Sequence, residues 1–352
     1  MTQEPHAPAA SAQPAAPGAA TAWIRSLFEV KDLVVVALLA AGAYMTWGER
    51  KICARFHVRY GPNRAGPFGI LQPLADAVKA IFKEEIVPAH ADRWIYIMAP
   101  GISFAAVLIT FAVIPFGPEV DLFGRQVGLW IGDIEVGLIF LLAVAGLGSY
   151  GIVLGGWSSN NKYSLLGALR AAAQMISYEL PLGVALLAVV LIAGSLNLRE
   201  IVAQQGTWPL IVLQPVGFLI FFIAILAESN RSPFDLPEAE NELISGFMTE
   251  YGGIKFALYF IAEYTAMVVN SAIVATVFLG GWKWPAVISD LHPLAGVALF
   301  VAKVLLVLFL YVWVRASTPR VRFDKFMRFA WKFMLPLALA NLLATAVVVA
   351  LL

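Results

Sequence analysis

Cysteine is nearly absent from this 352-residue sequence. Cys53 stands alone, and none of the four histidines, His6, His57, His90 and His292, lies inside a long apolar run. One thiol cannot form an internal disulfide or hold an iron–sulfur cluster, and no two histidines are placed to grip a haem between helices. Any electrons are therefore expected to come from another chain, with no metal, flavin or cluster on this one. Charge is scarce too, at 13% of residues against 60% hydrophobic, with a net charge of +1. That balance gives no electrostatic case for nucleic acid, and it lies outside the range of soluble domains and inside that of polytopic membrane proteins. No Lys or Arg precedes Arg25, and residues 1–22 are rich in Ala and Pro. Such a start is neither a secretory nor a transit signal, and it predicts a disordered tail ahead of a single membrane domain, 23–352.

What the chain has in plenty is apolar length. A helix needs about 20 apolar residues to cross a hydrocarbon core of about 30 Å. Runs at 30–47, 94–116, 134–157, 173–193, 209–227, 254–279, 294–314 and 329–352 meet or approach that test, which predicts an all-α protein with eight transmembrane helices. Basic residues crowd one set of connections. The link after the first run carries Arg50, Lys51, Arg55, Arg59, Arg64, Lys79, Lys83 and Arg93, and the link after the seventh carries Arg315, Arg320, Arg322, Lys325, Arg328 and Lys332. The opposite side has only Arg25, Lys31, Arg125, Arg199 and Lys283. Since basic loops stay on the cytoplasmic side, both termini are expected to face outward.

GPNRAGPFG, residues 61–69, is a turn cluster leading into ILQPLADAVKAIFK. There Ile70, Leu74, Val78, Ile81 and Phe82 recur at helical spacing, while Asp76, Lys79 and Lys83 take another face. An amphipathic helix over about 69–83, too short and charged to span, is expected at the cytoplasmic interface. It is either a plain surface helix or the border of an entry for an amphiphile.

Three charges fall within apolar runs away from their ends: Glu179, Glu263 and Lys303. Facing lipid, each costs about 2.5–3.5 kcal/mol on insertion scales, so each is expected to face the interior, a partner or water. A Lys–Glu pair holding helices together and a carboxylate relay for protons are both compatible with this. Pro181, two residues after Glu179, predicts a kink. The densest acidity lies in ESNRSPFDLPEAENELISGFMTEY, residues 228–251, with Glu228, Asp235, Glu238, Glu240, Glu242 and Glu250. Asp235, Pro237 and Glu238 predict a helix start. Glu238, Glu240 and Glu242 repeat every second residue, a pattern that suits a coupled titrating set, although a solvated acidic loop has the same composition.

GERK (48–51), GPNRAGPFGILQPLADAVKAIFKE (61–84), GALRAAAQMISYELPL (167–182), the 228–251 stretch, FIAEYT (260–265) and RASTPRVRFDKFMRFAWKFMLPL (315–337) together resemble the H-subunit family of proton-pumping NADH:quinone oxidoreductase, respiratory complex I. The resemblance covers roughly residues 28–350. It implies a membrane subunit beneath the peripheral arm that forms part of the quinone chamber, with quinone, more readily ubiquinone, as substrate. It also implies other complex I subunits as partners, including small membrane subunits next to the antiporter-like chain, and residence in a bacterial cytoplasmic membrane with lipid around it. Carried over by motif, Glu49, Arg50, Asp76, Lys79 and Arg231 line the quinone passage. Glu179, Glu228, Asp235, Glu238, Glu240, Glu242, Glu250 and Glu263 form the proton path. Intramembrane acids also suit a standalone transporter, though no inverted repeat relates the two halves. A related subunit of a hydrogenase-type complex would share the helices without needing quinone.

Overall fold

Apolar segments in a bilayer must satisfy their backbone hydrogen bonds within themselves, and the runs accordingly fold as helices. The computed structural model describes residues 30–122, 125–206, 208–237, 240–284 and 292–351. The expected tail, 1–22, lies outside them. In chain order the main helices are α1 (Val30–Phe56), α2 (Gln72–Phe82), α3 (Arg93–Phe111), α4 (Gly137–Ser158), α5 (Lys162–Ala193), α6 (Leu198–Gln204), α7 (Pro215–Glu228), α8 (Glu240–Leu243), α9 (Gly253–Val277), α10 (Pro293–Ser317) and α11 (Phe323–Leu351). Six of these, α3, α4, α5, α9, α10 and α11, are long and apolar enough to cross a membrane.

The two remaining runs differ from a plain span for visible reasons. Helix α1 does not stop at residue 47 but continues through the charged GERKICARF segment. The fifth run is broken at Gln214 (φ −129°, ψ 56°) into a turn, Leu210–Leu213, and the 14-residue α7. Pro215 lacks the N–H that would continue the turn, and it takes the first position of the new helix. An antiparallel hairpin, Glu119–Leu122 with Arg125–Gly128, joins α3 to α4, with Glu119 opposite Gly128. An all-helical reading leaves it out.

Helix α5 starts at Lys162 rather than 173, where Asn161 caps it by accepting from the Tyr163 N–H at 2.9 Å. It runs unbroken through Pro181, so the expected kink does not interrupt it. The last helix contains a π turn, Ala330–Met334.

Helix α9 is the axis. It packs against α1, α3 and α10, and 78% of its apolar window is buried, against 17% for α11. A helix apolar on all sides belongs in the middle, and Ala262, Ser271, Ala272 and Ala275, all buried, let its neighbours approach closely. At its far end lies Lys303 of α10, 8% exposed. Its ammonium donates to the Leu279 and Gly281 carbonyls, both at 2.6 Å. The partner of this charge is thus backbone at the C-terminal end of α9, where a cation is favoured, rather than a buried glutamate. Lys303→Met removes two charge-assisted hydrogen bonds and is expected to destabilise the protein by about 2–3 kcal/mol. The measurement is thermal inactivation of the assembled complex, which should occur at lower temperature; an unchanged profile would refute the capping role.

Helix α2 is held differently. None of its residues is buried. The turn before it depends on Gly69, at φ +78°, where an added Cβ would lie 2.2 Å from the Pro62 carbonyl oxygen, so only glycine fits. Polar ties do the fastening. Lys51 Nζ donates to the Pro62 and Phe68 carbonyls at 2.6 and 3.0 Å, Arg50 bridges Asp76 at 2.8 Å, and Lys255 bridges Glu85 at 2.7 Å just beyond the helix end.

Candidate functional site

The C-terminal end of α7 delivers Glu228, Ser229, Asn230 and Arg231 in succession to the side of α9. On α9, Glu263 and Asn270 are seven residues apart, two helical turns, and so share a face. With Ser103 and Thr110 of α3 and Gly148 of α4, Glu228, Ser229, Asn230, Glu263 and Asn270 line one pocket inside the bundle. A second, smaller pocket is lined by Glu179, Glu228, Asn270 and apolar residues including Leu141, Leu182, Phe221 and Ile273. Glu228 and Asn270 belong to both, so three carboxyl groups from α5, α7 and α9 converge on one locus among apolar walls. Desolvation and like-charge proximity oppose simultaneous ionisation of such groups, which is the condition for sharing protons.

Glu179, although it lines the second pocket, is exposed in this chain alone. Its Oε1 rests against Gly146 of α4, where an added Cβ would lie 2.7 Å away. At the other end, Arg231 and Glu263 face each other at 3.6 Å with side chains 8% and 11% exposed. The Arg231 guanidinium also lies 4.1 Å over the Tyr264 ring and 5.8 Å from Phe260, a cation–π setting that stabilises a buried cation. The chain after α7 is held by Gln174, fully buried on α5. Its amide nitrogen donates to the Ala227 carbonyl (2.7 Å), the Phe234 carbonyl (2.9 Å) and Asn230 Oδ1 (3.1 Å).

Among the described acids of 228–251, Asp235, Glu242 and Glu250 do not join this locus. Asp235 pairs with Arg320 at 2.7 Å, Glu242 with Arg170 at 2.5 Å, and Glu250 accepts from Asn161 Nδ2 at 2.6 Å. Leu236 and Pro237 form a turn and Glu240–Leu243 is helical, while the expected helix start through Glu238 lies in part outside the described residues. Glu238 and the Glu240 side chain lie outside the described residues. Of the residues expected around a quinone passage, Glu49 is 3% exposed and forms a salt bridge with Arg315 of α10. Arg50 and Asp76 pair with each other, Lys79 is exposed on α2, and Arg231 sits with Glu263.

Residues 30–346 match the family model described as NADH dehydrogenase. The chain is 50% identical over 325 residues to the second of the NADH-quinone oxidoreductase H subunits of Syntrophobacter fumaroxidans, covering 92% of this chain and 96% of the relative. The chain belongs to the H-subunit family of NADH-quinone oxidoreductase. It is also 52% identical over 307 residues to the corresponding H subunit of Protochlamydia amoebophila, covering 87% and 92% of the two chains. To NADH-quinone oxidoreductase subunit 8 of Thermus thermophilus it is 51% identical over 322 residues, covering 91% and 86%. The family match spans all thirteen site residues expected from sequence, from Glu49 to Glu263.

In this H-subunit family member, sequence reasoning missed the neutral polar residues. Asn270 interrupts the apolar run VVNSA and Gln174 interrupts AAAQM. A side-chain amide in a span is costly unless bonded, and that signal could have found both.

Proposed function

We propose that this chain is the membrane subunit of a proton-translocating NADH:quinone oxidoreductase that forms part of the quinone chamber and the beginning of the acidic proton path. The observation that carries this reading is the convergence of Glu179, Glu228 and Glu263 around Asn270, with Arg231 beside the last of them. Redox centres reside on partner subunits, and quinone, with ubiquinone preferred, is the substrate that approaches from the α1–α2 side past Glu49, Arg50, Asp76 and Lys79. Reduction places negative charge near Arg231. The nearby carboxylates then hold their protons more tightly, and neutralisation of the quinone releases that hold. The proton shared by Glu263 and Glu228 passes to Glu179, while Asp235, Glu238, Glu240, Glu242 and Glu250 connect the locus to the cytoplasmic side.

Glu179 lies within a span yet is exposed in this chain alone. A carboxyl group there is poorly suited to lipid, which supports a neighbouring membrane subunit on the α4–α5 face. With α1 and the α7 segment added to the six long helices, the count reaches eight, the number that places both termini on the periplasmic side of a bacterial inner membrane under the basic-residue asymmetry.

Asp76→Asn tests the quinone side. It loosens α2 from Arg50 without touching the acid locus, and it is expected to lower quinone-linked NADH oxidation about three- to tenfold, the effect of losing one ion-paired contact at a binding site. NADH oxidation by an artificial acceptor should hold steady. Equal loss of both rates in a fully assembled complex would contradict the assignment.

A further inference from the structure

The connection between α10 and α11 and the head of α11 carry Arg320, Arg322, Lys325, Arg328 and Lys332, and the fold treats them in two ways. Arg320 pairs with Asp235, and Arg322 pairs with Asp324. Lys325, Arg328 and Lys332 are exposed and have no acidic partner among the described residues. At i, i+3 and i+7 they share one face of α11, where like charges one turn apart repel. A topology signal asks for cations in a connection, not for their alignment on one face. The alignment is what a bound anion would explain.

The face is also fixed in direction. The opposite side of the helix is buried through Phe326, Ala330, Met334 and Ala338, each 1% exposed or less. The Phe326 ring stacks on Tyr178 of α5 with centroids 4.3 Å apart, and its carbonyl accepts from the Tyr178 hydroxyl at 3.0 Å. Trp331 Nε1 donates to Ser177 Oγ of α5 at 3.1 Å. These contacts keep the head of α11 from turning its cations elsewhere. Beyond Lys332 the same face becomes apolar, with Leu339, Leu343 and Val347 exposed by 45%, 68% and 59%. From Lys332 to Val347 it runs about 22 Å, more than the ~15 Å hydrocarbon depth of one leaflet.

We propose that this face of α11 binds an anionic phospholipid of the surrounding bilayer: Lys325, Arg328 and Lys332 hold its phosphate, and its acyl chains lie along Leu339, Leu343 and Val347. The charge decides the occupant. A second protein helix fits the apolar stripe alone, whereas a lipid carries its negative charge at headgroup level with its chains immediately below. A zwitterionic headgroup brings a cation of its own, which the three basic side chains repel, so the site selects by net charge. It is independent of the acid locus.

Trp331, at the edge of this face and 49% exposed, is the probe. The assembled complex is placed in phosphatidylcholine membranes containing a minor fraction of phosphatidylglycerol, with bromine, a contact quencher, on the acyl chains of one lipid or the other. Trp331 emission is taken as the difference from Trp331→Phe in the same membrane. Quenching per brominated molecule should be about tenfold stronger for phosphatidylglycerol than for phosphatidylcholine, since each cation near the headgroups adds a several-fold attraction for anionic lipid. The preference should vanish when Lys325→Gln, Arg328→Gln and Lys332→Gln are combined, at exposed positions that leave the bundle intact. Equal quenching by the two lipids would reduce the face to ordinary bilayer contact. Absence of quenching by either would mean that a protein covers it, and a preference that survives the triple variant would place the selectivity elsewhere. Each of these results overturns the proposal.

Discussion

An assembled enzyme carrying Glu228→Gln should lose about two orders of magnitude of proton-coupled quinone reduction, the scale of a positioned acid–base group, and retain its NADH oxidation by an artificial acceptor. The argument is geometric. Glu228 lines both pockets, so a proton moving between Glu263 and Glu179 has to pass it. Glutamine preserves volume and hydrogen bonding but cannot ionise. The acids that are paired with arginines at the surface provide the contrast. Asp235 and Glu242 pair with Arg320 and Arg170, whose side chains are 33% and 29% exposed, and exposed pairs of this kind contribute about 0–1 kcal/mol. Asp235→Asn and Glu242→Gln should therefore change the rate only a few-fold. Measuring quinone turnover and protons per electron in one vesicle preparation decides the matter. Should Glu228→Gln behave like the surface variants on both counts, the locus is structural.

Arg315→Met should be the most damaging single change in the last turn of α10. Glu49 is 3% exposed and Arg315 is its ion-pair partner, while the second carboxylate oxygen of Glu49 has no hydrogen bond. Removing one member of a buried pair leaves an uncompensated charge, at a cost of about 3–5 kcal/mol. Glu49→Gln should be milder, because it leaves behind an arginine that reaches solvent, with its side chain 38% exposed. The double variant, Glu49→Gln with Arg315→Met, should recover much of the loss in Arg315→Met alone, since neither charge is then stranded. Thermal stability of the complex and its quinone-linked rate both report on this series. Additive losses in the double variant would show that the two residues act independently.

The spans were legible because apolar length is a property of contiguous sequence. Their ends were less so. Helix α5 begins at Lys162, where Asn161 caps it, and SLLGALRAAAQ carries it into the apolar run without being apolar throughout. The break at Gln214 follows from two flanking prolines, Pro209 and Pro215, that an apolar average conceals. The acidic stretch was visible as composition, but its division was not. Asp235 and Glu242 are held by arginines from elsewhere in the chain, Arg320 just after α10 and Arg170 within α5. Glu179 and Glu263 could be picked out as charges in spans.

Helix α2 carries a consequence for handling the protein. With 11 residues and none of them buried, it is below the length at which a helix persists in water on its own, about 12–15 residues. Its order is lent by three polar ties and by whatever apolar surface lies under Leu74, Val78, Ile81 and Phe82, which are 62%, 46%, 63% and 84% exposed here. A bilayer supplies that surface as a plane, whereas a detergent micelle supplies a curved and exchanging one. On the proposed function, the quinone-side entrance is the part of the molecule whose structure is set by its solvent, so stripping and restoring lipid should act on quinone access before it disturbs the bundle.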